Sequence, residues 1–210
     1  MLFNPVIYIG TLCCLFAQHA AIPASNNGPG KVVKVIFLTD PRPEDAASDT
    51  LFYHQRAIKA DDFRASPRGS GPGKNEAISF TSFAFDGSSR QFRDTLEITL
   101  VLQVFWVKSS SWLRTRPPSS YTLEHEQLHF DITRLVAERF RKKVLQMPLT
   151  ADDHESRIQY EYLESFRDMN RMQEEFDDKV HSGMNTLMQQ EWKRKIRQEL
   201  IAEGVQPTMQ

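Results

Sequence analysis

Two histidines four residues apart, His125 and His129, with a glutamate directly after the first, make up the pattern H-E-x-x-H in Thr122-Leu-Glu-His125-Glu126-Gln-Leu-His129-Phe-Asp-Ile. Residues four apart lie one above the other on a helix, so both imidazoles can point at one ion. Glu126 falls about 100° around the helix from His125, beside the ion rather than on it. That is the place of a general base acting on a metal-activated water. The chemistry implied is zinc-assisted hydrolysis. The competing reading is two histidines on a core face, each satisfied by a backbone carbonyl.

The pattern needs a helix to position it, and the flanking residues supply one. Pro117 and Pro118 end the preceding segment, and Ser119 or Ser120 serves as N-cap. Glu124 and Glu126 fall in the first turns, where the helix dipole favours negative charge. Leu128, Ile132, Val136, Phe140 and Val144 follow at intervals of four and share the histidine face, which therefore looks into the protein.

The chain has 210 residues, enough for one domain of moderate size with its own core. Its formal net charge of -1 gives no electrostatic footprint for a nucleic-acid partner. Val6 to Ala17 is a short apolar run followed by Ala20, Ala21 and Ala24, which suits a secretory signal peptide over 1–20 despite the lack of a preceding Lys or Arg. The expected location is secreted or periplasmic, in a bacterial envelope, with no stable membrane span after signal removal. Both cysteines, Cys13 and Cys14, lie in that run, so a metal site must be built from histidines and carboxylates.

Residues 21–53 read as a linker and a first strand, and 54–204 as the main domain. Strands are expected at Val32–Leu38, briefly at Leu51–Tyr53, at Ala77–Phe85 and at Thr95–Lys108, the last with a break near Gln103. Asp86-Gly87-Ser-Ser reads as a turn and 64–75 as a Gly/Pro-rich loop. From 121 onward the periodicity is helical. The first helix runs to about Gln146. Asp152 or Asp153 caps a second, with Ile158, Tyr162, Phe166, Met169, Met172, Phe176 and Val180 as its buried stripe. Asn185 caps a third, with Met188, Trp192, Ile196 and Leu200 buried and Gly204 ending it. Lys193-Arg-Lys195 and Arg197 read as a solvated face. Strands followed by helices predict an α+β fold: a mainly antiparallel N-terminal sheet packed on about three C-terminal helices, with a zincin-like active-site helix. The strand at 95–108 is the expected neighbour of that helix.

Four stretches resemble the predicted secreted zinc-dependent proteases of bacteria, over roughly residues 54 to 192. Ile58-Lys-Ala-Asp61-Asp62-Phe63 is similar to that family's L-T-W-x-D-F, and Ala77-Ile-Ser-Phe-Thr to the strand after it. Phe105-Trp106-Val107-Lys108 resembles S-W-V-K, and His125 to Ile132 resembles H-E-Q-x-H-F-D-I. Phe176-Asp177, Asn185, Gln189 and Trp192 match Y-D-x-x-T-x-H-G-x-N-x-x-x-Q-x-x-W. The chain departs from the family at Ala60, where it has Trp, and at Ser182, where it has His. His181 stands one residue earlier.

A catalytic zinc takes three protein ligands and leaves a fourth position for water. Patterns that place the third ligand shortly after the second histidine fail here, because 132 is Ile and 135 is Leu. Glu155, Glu161 and Glu164 on the following helix remain open, and the resemblance implies His181, which is preferred. Asp131 lies far around the helix from the metal face and reads as a surface or outer-shell residue. His154, Tyr160 and Tyr162 are available as a second oxyanion donor. The expected activity is a zinc metallopeptidase acting on a peptide or protein substrate, with Zn2+ as cofactor and Glu126 as catalytic base. Its alternative is a non-catalytic envelope protein that keeps the helix for binding or folding. The sequence leaves the oligomeric state open.

Overall fold

The computed structural model describes residues 32–67, 76–180 and 185–206. The signal-like run at 1–20, both cysteines, most of the 64–75 loop and His181 lie outside these residues.

The fold is α+β, as the order of elements predicts. β1 (Val32–Thr39), β2 (Thr50–Phe52), β4 (Thr81–Phe92) and β5 (Thr95–Val107) form one sheet. β3 (Ala77–Ile78) and β6 (Trp112–Leu113) form a small second sheet. β5 is central. It pairs antiparallel with β4 along its whole length and with β2 at its end, and parallel with β1. Its residues alternate strictly between buried and half-buried, so one face lies on the core.

Two expectations about strands change. β5 does not break at Gln103, which pairs with Ala84. Asp86-Gly87-Ser-Ser is not a turn but the middle of β4, with Gly87 opposite Leu100. A Cβ at Gly87 would lie 2.9 Å from Leu100 Cδ2, so this glycine admits a close side chain within a strand rather than bending the chain. The reversal comes later, at Arg93 and Asp94, with Arg93 at φ 52.

Three helices follow: α1 (Ser120–Gln146), α2 (His154–Val180) and α3 (Thr186–Ala202). Ser119 caps α1 by accepting from Thr122 N–H, and Asn185 caps α3 by accepting from Met188 N–H; caps of this kind contribute about 1 kcal/mol each. Gly204 closes α3 at φ 80, a left-handed conformation that glycine adopts without steric cost. All five ridge residues of α1, from Leu128 to Val144, are buried. They divide between two cores. Val136, Phe140 and Val144 face the sheet, where Phe140 meets Phe37, Phe83, Phe85 and Tyr162. Leu128, Ile132 and Leu135 face Phe176, Val180, Trp192, Ile196 and Leu200 of the other helices. α1 is thus held on both sides, which fixes the rotation of its histidine face.

The basic cluster on α3 is not wholly solvated, because Lys193 pairs with Glu124 of α1. Motif residues outside H-E-x-x-H build a buttress under α1. Trp106 donates to the Asp62 carbonyl at 3.1 Å and packs edge-on to Phe63. Arg56 holds the Asp62 carboxylate at 2.6 Å, and buried Lys108 stands 4.0 Å from it while donating to Ser48 O. Trp106 then touches Phe130, next to His129 on the helix.

Asp131 is neither a surface residue nor a partner of the metal face. It accepts from Tyr53 Oη at 2.9 Å and Gln127 Nε2 at 2.8 Å, while Gln127 Oε1 accepts from Ile58 N–H. Burial pushes its carboxyl up to about 6, against those hydrogen bonds and the charges of Lys193 and Arg197. Between the ordinary aspartate value and about pH 6 the folded protein therefore binds more protons than the unfolded chain, and stability falls as pH rises through that window. Asp131→Asn is expected to remove this fall and to raise unfolding free energy at pH 7.5 by on the order of 1–3 kcal/mol. Urea titrations of both proteins at pH 4.5 and 7.5 check it; equal midpoint shifts at the two pH values would contradict it.

Candidate metal centre

α1 presents His125 and His129 to α2, where Asp177 lies in the last turn. Asp177 Oδ1 is 3.2 Å from His125 Nε2 and 3.2 Å from His129 Nε2, so one carboxylate oxygen is shared by two imidazoles. These three residues form a cluster of metal-ligating type among the described residues. The two aspartate–histidine spacings are close to those of donors on one zinc, where metal–ligand distances near 2.0–2.1 Å place tetrahedral ligands about 3.3–3.4 Å apart, and all three donor atoms lie within 4.8 Å of one another. Both spacings are longer than the roughly 2.7–2.9 Å of a charge-assisted hydrogen bond. The donor set, two neutral imidazoles and one carboxylate, suits Zn2+ with a fourth position left for water.

Each ring is held from outside. Phe176 stacks on His125 with centroids 4.8 Å apart and meets His129 edge-on at 5.1 Å. His125 Nδ1 lies 3.2 Å from Oε1 of fully buried Gln189, whose Nε2 donates to the Tyr121 carbonyl. With Nδ1–H donating to Gln189, the Nε2 lone pair is left for a metal, an outer-shell bond that fixes tautomer and ring orientation. On α2, Gln173 donates to Thr133 Oγ1, which donates in turn to the His129 carbonyl.

The electrostatics of the metal-free cluster follow from this crowding. Burial pushes the Asp177 carboxyl up, but hydrogen bonds from His125 and His129 and their charges prevail and hold it well below the usual carboxylate range. Burial pushes the His129 imidazole down, but the hydrogen bond and charge of Asp177 prevail, with Glu126 and Gln173 adding to them, and its net shift is upward.

The three ligating groups line one cleft of about 180 Å³ with Glu126, Gln173, Tyr121, Thr122 and the segment Glu76 to Ser79. Glu126 is buried, at 4% exposure, and is not part of the ligand cluster. The strand that lines the cleft is β3, while β5 is, as expected, a neighbour of the helix. β5 lies beneath α1, in contact through Trp106 and Phe130, because its central position commits both of its edges to other strands. A larger cavity of about 470 Å³ contains Arg134, Glu138 and Arg141 but none of these groups, and its two arginines are paired with Glu138.

The glutamates considered as third ligand lie elsewhere. Glu161 receives Lys143 Nζ at 2.8 Å, Glu164 pairs with Arg167, and exposed Glu155 is nearest His154. His181 lies outside the described residues. The expected oxyanion donors are also placed away from the cleft: Tyr162 donates to the Phe83 carbonyl, His154 Nδ1 contacts the Ala151 carbonyl, and Tyr160 is 64% exposed. Asp177 was missed as a ligand although Phe176-Asp177 belongs to one of the matched stretches. Its signal was an acidic residue directly after a buried aromatic on the inner stripe of α2.

Compared with protein-family models, with curated proteins and with solved structures, the chain matches none.

Proposed function

We propose that this protein is a secreted zinc-dependent metallopeptidase that hydrolyses peptide bonds. The observation that carries the reading is the convergence of His125, His129 and Asp177 in the cleft that also holds buried Glu126. His125, His129 and Asp177 would hold the zinc, with Asp177 in the place the resemblance gives to His181. The ion would lower the pKa of a bound water and polarise the scissile carbonyl. Glu126 takes the proton of the attacking water and delivers it to the leaving amine as the C–N bond breaks. Gln189 keeps His125 in the tautomer that serves a metal, and Phe176 keeps both rings in place.

β3 supports a peptide as substrate. Among the described residues it pairs only with β6, so its other edge carries no strand, and residues 76–79 form a cleft wall. An extended chain can add to such an edge through main-chain hydrogen bonds. The apolar run near the N-terminus supports export.

The test is zinc titration of the purified protein, followed by digestion of a peptide library with and without chelator. The expected result is about one zinc per chain and cleavage that chelation abolishes and zinc restores. Absence of zinc affinity overturns the enzyme reading. Zinc binding without cleavage favours the non-catalytic binding protein.

A further inference from the structure

We propose that the Tyr121 hydroxyl is a substrate-binding group, donating a hydrogen bond to a carbonyl oxygen of the peptide in the cleft. The proposal rests on the peptidase reading and adds to it a residue that H-E-x-x-H does not contain.

Tyr121 precedes His125 by four residues, so it stands one turn toward the N-terminus on the metal face of α1. It lines the same cleft as His125, Glu126, His129 and Asp177. Its hydroxyl oxygen is buried and, among the described residues, has no hydrogen-bond partner. Buried polar groups are nearly always paired with protein, water or ligand, so a hydroxyl without a protein partner on a residue that lines the cleft is a group that an entering ligand can engage. The main chain at this position is already tied to the metal centre, because the Tyr121 carbonyl accepts from the glutamine that orients His125. The segment Glu76 to Ser79 lines the same cleft. An extended peptide bound there would meet both strand β3 and the tyrosine.

The chemistry of the group suits a donor. Burial, and secondarily the charge of Glu124, push the phenol above its ordinary value, so it keeps its proton at neutral pH. A neutral donor in a sheltered wall has a carbonyl oxygen as its natural acceptor, and a peptide offers one at every residue. When water adds to a carbonyl, the C=O π pair moves to that oxygen, and the bond from Tyr121 strengthens without transfer of the phenolic proton. The water's proton passes to Glu126 and from there to the amine.

Tyr121→Phe removes one oxygen atom and keeps the ring, and both proteins are compared in the zinc-loaded state after their zinc content and helicity are shown to be equal. Affinity for a phosphinic peptide, a tetrahedral analogue of the hydrated amide, is measured by calorimetry, and kcat and KM are measured on a cleaved peptide. The variant is expected to bind the phosphinic peptide roughly 10- to 100-fold more weakly and to lose kcat/KM by a similar factor, the usual range for one hydrogen bond in a sheltered site. A fall in kcat puts the acceptor on the scissile carbonyl; a rise in KM alone puts it on a neighbouring one. Affinity and kcat/KM both within twofold of wild type would overturn the proposal, since a purely structural tyrosine would leave both unmoved. Failure of the peptidase reading shows separately, in a wild type that neither cleaves peptide nor binds the analogue, and the proposal falls with it.

Discussion

Glu126→Gln is expected to keep the fold and the zinc and to lose peptide hydrolysis by roughly 10²- to 10⁴-fold, the range for removing a general acid–base. Glutamine has the shape of glutamate and fills the same buried position beside His125. It lacks the anionic oxygen that accepts the water's proton. Because Glu126 lies outside the cluster of His125, His129 and Asp177, the metal ligands stay intact. The measurement is kcat/KM at matched zinc occupancy. Near-normal turnover in the variant would place the base elsewhere. Loss of zinc in parallel with activity would make Glu126 a ligand instead.

Asp177→Ala is expected to weaken zinc binding by more than the roughly 10- to 100-fold that follows loss of an outer-shell partner. Two imidazoles from one helix hold zinc weakly, and the carboxylate from α2 completes a three-ligand set. The same oxygen bridges both histidines at 3.2 Å, so no other described residue offers an equivalent contact. Competition against a chromophoric chelator reads the affinity. Glu161→Ala and Glu164→Ala serve as controls and should leave it unchanged, because those side chains are engaged by Lys143 and Arg167. His181→Ala is the decisive comparison. A larger loss there than at Asp177 would return the histidine to the ligand set, and a smaller one assigns the third position to the aspartate.

These two variants probe different depths of the sequence reading. The identity of His125, Glu126 and His129 as a chemical unit was legible from spacing alone, since the α-helical repeat determines which side chains share a face. The helix itself was legible as well: Ser119 as its cap, its end near Gln146 and its five-residue ridge all follow from local rules. So were the cap of α3 and the division into strands followed by helices. Of the two expected stripes, Ile158, Met169, Phe176, Val180, Trp192, Ile196 and Leu200 are buried and Tyr162, Phe166, Met172 and Met188 half-buried, while Asp153 accepts from Thr150 N–H ahead of α2 instead of capping its first turn.

What local rules could not supply was every relation between distant segments. Gly87 has the composition of a turn, yet it lies in a strand because the Leu100 side chain of β5 packs against it. Asp131 was correctly turned away from the metal, but only the approach of Tyr53, 78 residues earlier, makes it a half-buried anchor. Gln189 backs His125 from another helix. The third ligand belongs to the same class. Asp177 meets the histidines because α1 is clamped between two cores and α2 runs back antiparallel along it, through Lys143–Glu161, Thr133–Gln173 and His129–Asp177, which places the last turn of α2 over the metal face. The sequence by itself determined which residues could perform the chemistry, because helical periodicity is a property of neighbours along the chain. The tertiary structure decided which carboxylate completes the site and which strand walls it, because those depend on packing between segments whose order along the chain carries no distance.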